Sequence, residues 1–219
     1  MRSFARSDGR AAGRGSLRRA VRGFVRAQGG RRRAAASAPS GVAAGRNLAR
    51  FLSSVATRGL AEAAREFRLT AYLNAGVDIF LTALTRVLAP AAGTNEEAAA
   101  HAAVAETAEY LFREYGVDDQ GLEALETLTA EMLGRALTHF TAEFINTRLM
   151  HVLGSRIEAG AATPEQAVAL EAEVKDYVRE RVTLDFAGRD LMRVNWDAPE
   201  SERVIQQIFE DAYGLLEVD

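Results

Sequence analysis

Apolar side chains recur every three or four residues along almost the whole chain, and only Pro39, Pro90, Pro164 and Pro199 interrupt 219 residues. That spacing is the period of a helix, which needs one apolar stripe to bury. Alanine and leucine outweigh valine, isoleucine and the aromatics, and this mixture favours helix over strand. No stretch alternates as a strand would, and no repeat period recurs. With 48% apolar residues a packed core is within reach. The pattern predicts an all-α fold: a single multi-helix bundle-like domain of about eight helices with a basic, partly flexible N-terminal arm.

The boundaries follow from caps and stops. Residues 1–15 are rich in Arg, Gly, Ala and Ser and carry no apolar period. A helix is expected at 17–28, with Ser16 as N-cap and Gly29-Gly30 as stop. Residues 31–41 read as a connector that Pro39 interrupts, so the arm is set at 1–41 and the helical domain at 42–219. Further helices are expected at 42–58, 60–67 and 77–88, the last being the most apolar and therefore assigned to the centre of the core through Val77, Phe80, Leu81, Leu84, Val87 and Leu88. Thr94 opens a capping box with Glu97. The helix it starts, 95–115, is expected to bury Ala98, Ala102, Ala105, Ala108 and Leu111. A short turn of helix around 119–126 leads to Thr129, the N-cap of a helix over 130–153 that Gly154 stops. Thr163-Pro164-Glu165 starts a helix over 164–186. A connector with the only tryptophan, Trp196, precedes a final helix from Asp197 or Ala198.

Charge divides the chain sharply. Residues 1–60 hold 14 arginines and one acid, Asp8, a net of +13, whereas the remainder nets −16. The arm either folds onto its own acidic body or meets phosphate or an acidic partner. There is no cysteine, which excludes disulfides, thiolate nucleophiles and thiolate metal sites and fits a cytoplasmic location. No apolar run reaches the ~20 residues of a membrane-spanning helix, and no apolar segment follows the first arginines as a secretory signal requires.

Catalytic groups are not evident. His101, His139 and His151 are spread over two predicted helices, without a His-x-x-x-His or Glu-x-x-His pair, so no metal site is expected. No Walker or dinucleotide pattern occurs, and no cofactor is expected. Gly13-x-Gly15 ahead of a basic helix could cradle phosphate, but no strand precedes it. Ser53 and Ser54 have no histidine and acid in view and read as surface positions. Glu96-Glu97, Asp118-Asp119, and Glu200 with Glu202 sit near helix starts, where acids complement the helix dipole.

The helix at 17–28 carries the clearest candidate surface for a partner. Leu17, Val21, Phe24 and Val25 form its apolar stripe, and Arg18, Arg19, Arg22 and Arg26 occupy the rest. Twelve residues are marginal as an isolated helix, so the stripe must dock, either on the acidic body or on a partner. Nucleic acid is the alternative partner for residues 1–50, although only Phe4, Phe24 and Phe51 are available to stack on bases.

The order of motifs then resembles a known family. Phe4-Ala5-Arg6-Ser7, Gly15-Ser16-Leu17-Arg18-Arg19-Ala20-Val21 and Leu48-Ala49-Arg50-Phe51-Leu52 are followed by Asp78-Ile79-Phe80-Leu81-x-x-Leu84 and Pro90-x-x-Gly93-Thr94-x-Glu96-Glu97-Ala98. Leu128-Thr129-x-x-Met132, Arg148-Leu149, Gly154 and Ile208-Phe209-x-x-Ala212-Tyr213 complete a series that resembles the QatB proteins of the Qat anti-phage system. The resemblance implies a non-catalytic subunit that pairs with a QueC-like protein, QatC, and is modified by it at a glycine-starting N-terminal tail, alongside a P-loop ATPase and a TatD-like nuclease. The chain departs from the family at Met1-Arg2-Ser3, where a Gly/Ser/Pro-rich leader is expected, so no modified residue is carried over. It departs again at Ala38-Pro39-Ser40-Gly41.

Overall fold

The structure, a computed structural model, describes residues 10–89, 93–116, 121–161, 163–186 and 190–218. These contain nine α-helices and no strand: α1 (Arg10–Ala27), α2 (Arg31–Ala36), α3 (Pro39–Arg58), α4 (Leu60–Glu66), α5 (Val77–Leu88), α6 (Asn95–Glu114), α7 (Ala130–Gly160), α8 (Pro164–Arg181) and α9 (Ser201–Glu217). The fold is all-α, as the apolar period requires.

Helix α7 is the axis of the molecule. It packs against α3, α6, α8 and α9, and α3 and α9 close the core on each other. Phe140, Phe144, Phe209 and Tyr213 form a run of aromatic contacts there, with the Phe144 and Phe209 rings 5.1 Å apart, edge to face. Helix α3 reaches this run only because it presents glycine. A Cβ on Gly41 would stand 2.5 Å from Phe144 Cζ, and one on Gly45 2.9 Å from Phe140 Cε1.

Local chemistry sets most helix starts. Thr94 Oγ1 accepts from the Glu97 N–H at 3.2 Å while the Glu97 carboxylate accepts from the Thr94 N–H at 3.0 Å, the capping box read from the sequence. Thr129 and Thr163 cap α7 and α8 by accepting from Met132 N and Gln166 N, each cap worth about 1 kcal/mol. The C-terminus of α4 ends differently. The Leu69 N–H bonds Ala64 O and the Arg68 N–H bonds Arg65 O, which is the Schellman arrangement with Arg68 at the left-handed position. Its φ is 59°, the only positive φ of a non-glycine residue among those described.

Several expectations are corrected. The connector at 31–41 is instead α2, whose Ala34 and Ala35 are buried, and Pro39 stands at the first turn of α3 rather than interrupting a helix, where its missing N–H costs nothing. Apolar core residues run without a break from Leu17 to Leu216, across position 41. Helix α5 is not central: Phe80, Leu84 and Leu88 pack inward, but Ile79 and Val87 face out. Helix α6 buries Ala99, Ala100, Ala103, Val104, Thr107, Ala108, Leu111 and Phe112, while Ala98 is exposed; alanine at six of the eight positions 98–105 leaves little contrast from which to read the face there. Helix α7 passes through Gly154 and continues to Gly160. Helix α8 ends at Arg181, and the chain then runs irregularly so that Phe186 lies over Gly134. Helix α9 begins at Ser201, because Asp197 N bonds Asn195 Oδ1 and Ser201 Oγ bonds Ala198 O in a turn that precedes it. Ser54 is buried and donates to Glu66 Oε2 at 3.1 Å.

The two kinds of helical glycine give a paired prediction. Gly41→Ala gains about 1 kcal/mol of helix propensity but forces a Cβ into a buried ring, which costs about 1–3 kcal/mol; the variant is expected to be the less stable. Gly154 has nothing within 4 Å of its would-be Cβ, so Gly154→Ala is expected to stabilise by roughly 0.5–1 kcal/mol. Urea denaturation of the two variants beside the wild type checks both signs.

Candidate functional site

Helix α1 brings the eight residues singled out in the sequence together, but splits them by face. Leu17, Val21, Phe24 and Val25 are buried, Phe24 to 5% exposure, and α1 packs on α9 and α2. The apolar stripe therefore docks on the protein's own body. Arg18, Arg19 and Arg26 are exposed and Arg22 is partly so. Positions 18, 22 and 26 fall in one row, four residues apart.

The arm is then clamped from the other side. Arg148 of α7 donates to Tyr213 Oη at 3.1 Å, to Ser37 Oγ at 3.2 Å and to Ala34 O at 3.4 Å, and lies over the Phe144 ring. One guanidinium thus joins α2, α7 and α9. Burial raises the pKa of the Tyr213 phenol to about 12, against the pull of the Arg148 charge, so it serves as a neutral partner. Arginines of α2 and α3 are committed as well: Arg31 and Arg32 to Glu210, Arg46 to Glu202, Arg50 to Glu66 and Asp197. Arg18, Arg26 and Arg33 form no ion pair among the described residues.

A second polar cluster ties α6, α7 and α8. Glu143, only 2% exposed, is paired by Arg179 and lies 3.2 Å from Lys175, while Lys175 also donates to Glu106 at 2.9 Å. Burial raises the Glu106 carboxyl, but the hydrogen bond and charge of Lys175, with Arg179, outweigh it and hold the pKa below the ordinary value. His139 stacks on Tyr110 with ring centroids 4.4 Å apart. The Thr107 hydroxyl donates to Ala103 O at 2.7 Å, so its oxygen is left to accept from His139 Nδ1–H at 3.2 Å. That fixes the neutral tautomer with Nε2 as an acceptor. Burial first, then Arg179, push the His139 pKa down to about 4. The ring borders an open pocket of about 630 Å³ that also involves Arg135, Arg179, Val182, Leu184 and Phe186.

This cluster is a fastening. Glu143 is spent on two cations, Glu106 on Lys175, and the Thr107 hydroxyl at the ring donates to Ala103 O. His101 hydrogen-bonds to Ala89 O at 2.7 Å, and His151 is exposed. Among the described residues no group of three or more His, Asp or Glu side chains could hold a metal ion, and no helix is long and apolar enough to cross a membrane.

A third feature lies on α5. Tyr72, Ile79 and Val87 are three of the six large hydrophobic residues exposed among those described, and they border a groove of about 360 Å³ with Arg68, Asp78, Thr82, Ala83 and Arg86. The sequence reading missed it by assigning α5 to the core. It also missed Glu143 and Arg148, although an acid among the apolar positions Phe140, Phe144 and Ile145 was a legible sign of a buried ion pair.

With the geometry in place, the family can be settled. Residues 29–216 match the profile of the family described as Qat anti-phage system associated protein QatB. The chain belongs to the QatB family. It is accordingly a component of an anti-phage defence system. No curated protein and no solved structure matches it. The QatB match begins at Gly29, so α2 to α9 fall almost wholly within it and the arginine row of α1 precedes it.

His139 generates a pH prediction. Its folded pKa of about 4 lies below the ordinary 6.5, so the unfolded chain takes up the proton first as pH falls. Stability is expected to decline as pH drops from about 6.5 toward 4 and to gain nothing further from this group below that. His139→Phe keeps the stack on Tyr110 and removes the proton, so its melting temperature is expected to fall less over the same window.

Proposed function

We propose that the chain is the non-catalytic, protein-binding subunit of a Qat defence system, located in the cytoplasm, and that its partner is the QueC-like protein of that system. Modification of the QatB-like chain by that partner is part of the reading, with no residue assigned. The observation that supports it is the α1 face: an amphipathic helix whose apolar side is satisfied by its own body, leaving exposed arginines that include unpaired Arg18 and Arg26. Such a face offers a partner charge and orientation more than buried area. The apolar residues Leu17, Val21, Phe24 and Val25 act indirectly, by holding the arginines in register.

Nucleic acid is the weaker alternative. Phosphate contacts need free cations, and within residues 1–50 Arg31, Arg32, Arg46 and Arg50 are engaged by carboxylates, which leaves Arg18, Arg26 and Arg33 of the described residues to carry the contact. Base stacking needs exposed rings, and Phe24 and Phe51 are buried; Phe4 lies outside the described residues.

The purified QueC-like protein tests the reading by titration calorimetry and stopped-flow association. Arg18→Glu with Arg26→Glu is expected to slow association, weaken the complex about tenfold and flatten its salt dependence, with the melting temperature unchanged. Phe24→Ala is expected to cost the fold roughly 3–5 kcal/mol and to weaken binding only through that loss. Absence of any complex with the wild-type chain at micromolar concentrations would sink the proposal. Tight binding of duplex or single-stranded DNA at ~50 mM salt, where phosphate contacts are strongest, would favour the alternative.

A further inference from the structure

The outward face of α5 has no counterpart in the fold. Ile79, Ala83 and Val87 stand at i, i+4 and i+8, one line along the helix, and Ile79 is 52% and Val87 38% exposed. Tyr72, 39% exposed, borders the same groove from the short 3-10 turn at Thr70–Tyr72. Isolated exposed apolar residues are ordinary, but three of six gathered at one concavity are a patch.

The groove also carries charge that its surroundings do not pair. Arg68 and Arg86 make no ion pair among the described residues. Arg68 further occupies the left-handed position of the α4 C-terminus, with φ 59°. Glycine fits that position without strain, so an arginine there carries a backbone cost. Asp78, in the first turn of α5, is the one acid at the groove and sits where the helix dipole favours it.

We infer that this groove is a docking site for an amphipathic helix of a partner protein, whose apolar anchors seat against Tyr72, Ile79 and Val87 and whose flanking carboxylates pair with Arg68 and Arg86. Charge selects this occupant. Residues 1–9 of the chain itself carry two arginines against one acid and would be repelled. A second copy placed symmetrically would bring both arginines of each groove together with only one aspartate, Asp78, from each, a net repulsion. The inference rests on the reading of the chain as a partner-binding subunit, and uses a surface separate from α1.

Fluorescence anisotropy on the full chain tests it with two labelled helical peptides of about four turns, identical in their leucine stripe. One is flanked by glutamates, the other by lysines. The glutamate peptide is expected to bind at least about tenfold tighter and to weaken as salt rises. Ile79→Ser, at an exposed position, is expected to keep the wild-type melting temperature and to weaken that peptide about tenfold. Arg68→Glu with Arg86→Glu is expected to reverse the preference between the peptides. Arg68→Gly is expected to raise the melting temperature yet weaken binding, a pairing that a merely structural arginine does not produce. Failure of both peptides to bind, equal binding of the two, or indifference to Ile79→Ser overturns the inference. So does a dimer in sedimentation velocity that Ile79→Arg dissolves, which would assign the groove to a second copy. Arg18→Glu with Arg26→Glu is expected to leave peptide binding unchanged. Failure of the peptides alone removes the groove, whereas failure of the QueC-like complex alone removes the α1 reading.

Discussion

The architecture depends on one close approach. Helix α3 lies against α7 at a distance that only glycine permits, with Gly41 facing the Phe144 ring and Gly45 facing Phe140. The same rings meet Phe209 of α9 edge to face, so three helices share one aromatic seam. Side chains in such a seam cannot yield independently, because the interior is packed to crystal density. The positions of α6 and α8 on α7, and of α2 on α9, follow from where that seam puts α7 and α9.

Electrostatics completes what packing begins. The chain separates its charge along the sequence and recombines it in space: arginines of α2 and α3 meet carboxylates of α4, α9 and the turn before α9. Most of these pairs are at the surface, where each contributes ~1 kcal/mol or less; their effect is to orient the arm rather than to hold it. Glu143 is different. Buried among helices, it is paired by both Arg179 and Lys175, and loss of a partner from such a buried pair costs several kcal/mol. Arg148 does the corresponding service about a turn and a half further along α7, joining arm to body through the neutral Tyr213 hydroxyl.

Once these internal demands are met, few charges and few apolar groups remain for anything else. Among the described residues, the arginine row of α1 and the Arg68–Arg86 groove of α5 are two places where side chains are left over. The two differ in kind: α1 offers charge over a satisfied apolar stripe, and α5 offers apolar surface between charges. The first suits steering and register, the second suits anchoring.

The amino-acid sequence by itself determined the helical class, the capping box at Thr94, the caps at Thr129 and Thr163, and the amphipathic character of α1, because each is set by interactions within a few residues. It also carried the ordered motifs by which the QatB family was recognisable. It did not determine which side of an evenly apolar helix faces inward. Helix α5 looked central and is peripheral; the face read for α6 held at Ala108 and Leu111 but not at Ala98; α7 ran on past Gly154, whose stop signal was overridden by the contacts of Leu153 and Ile157 with the core. Nor did it show that the arm's stripe docks on α9, that Arg148 clamps it, or that Arg68 and Arg86 share a groove with Ile79. Those outcomes depend on pairs far apart in the chain, and only the packed tertiary structure, where volume and charge must be satisfied together, decides which of them meet.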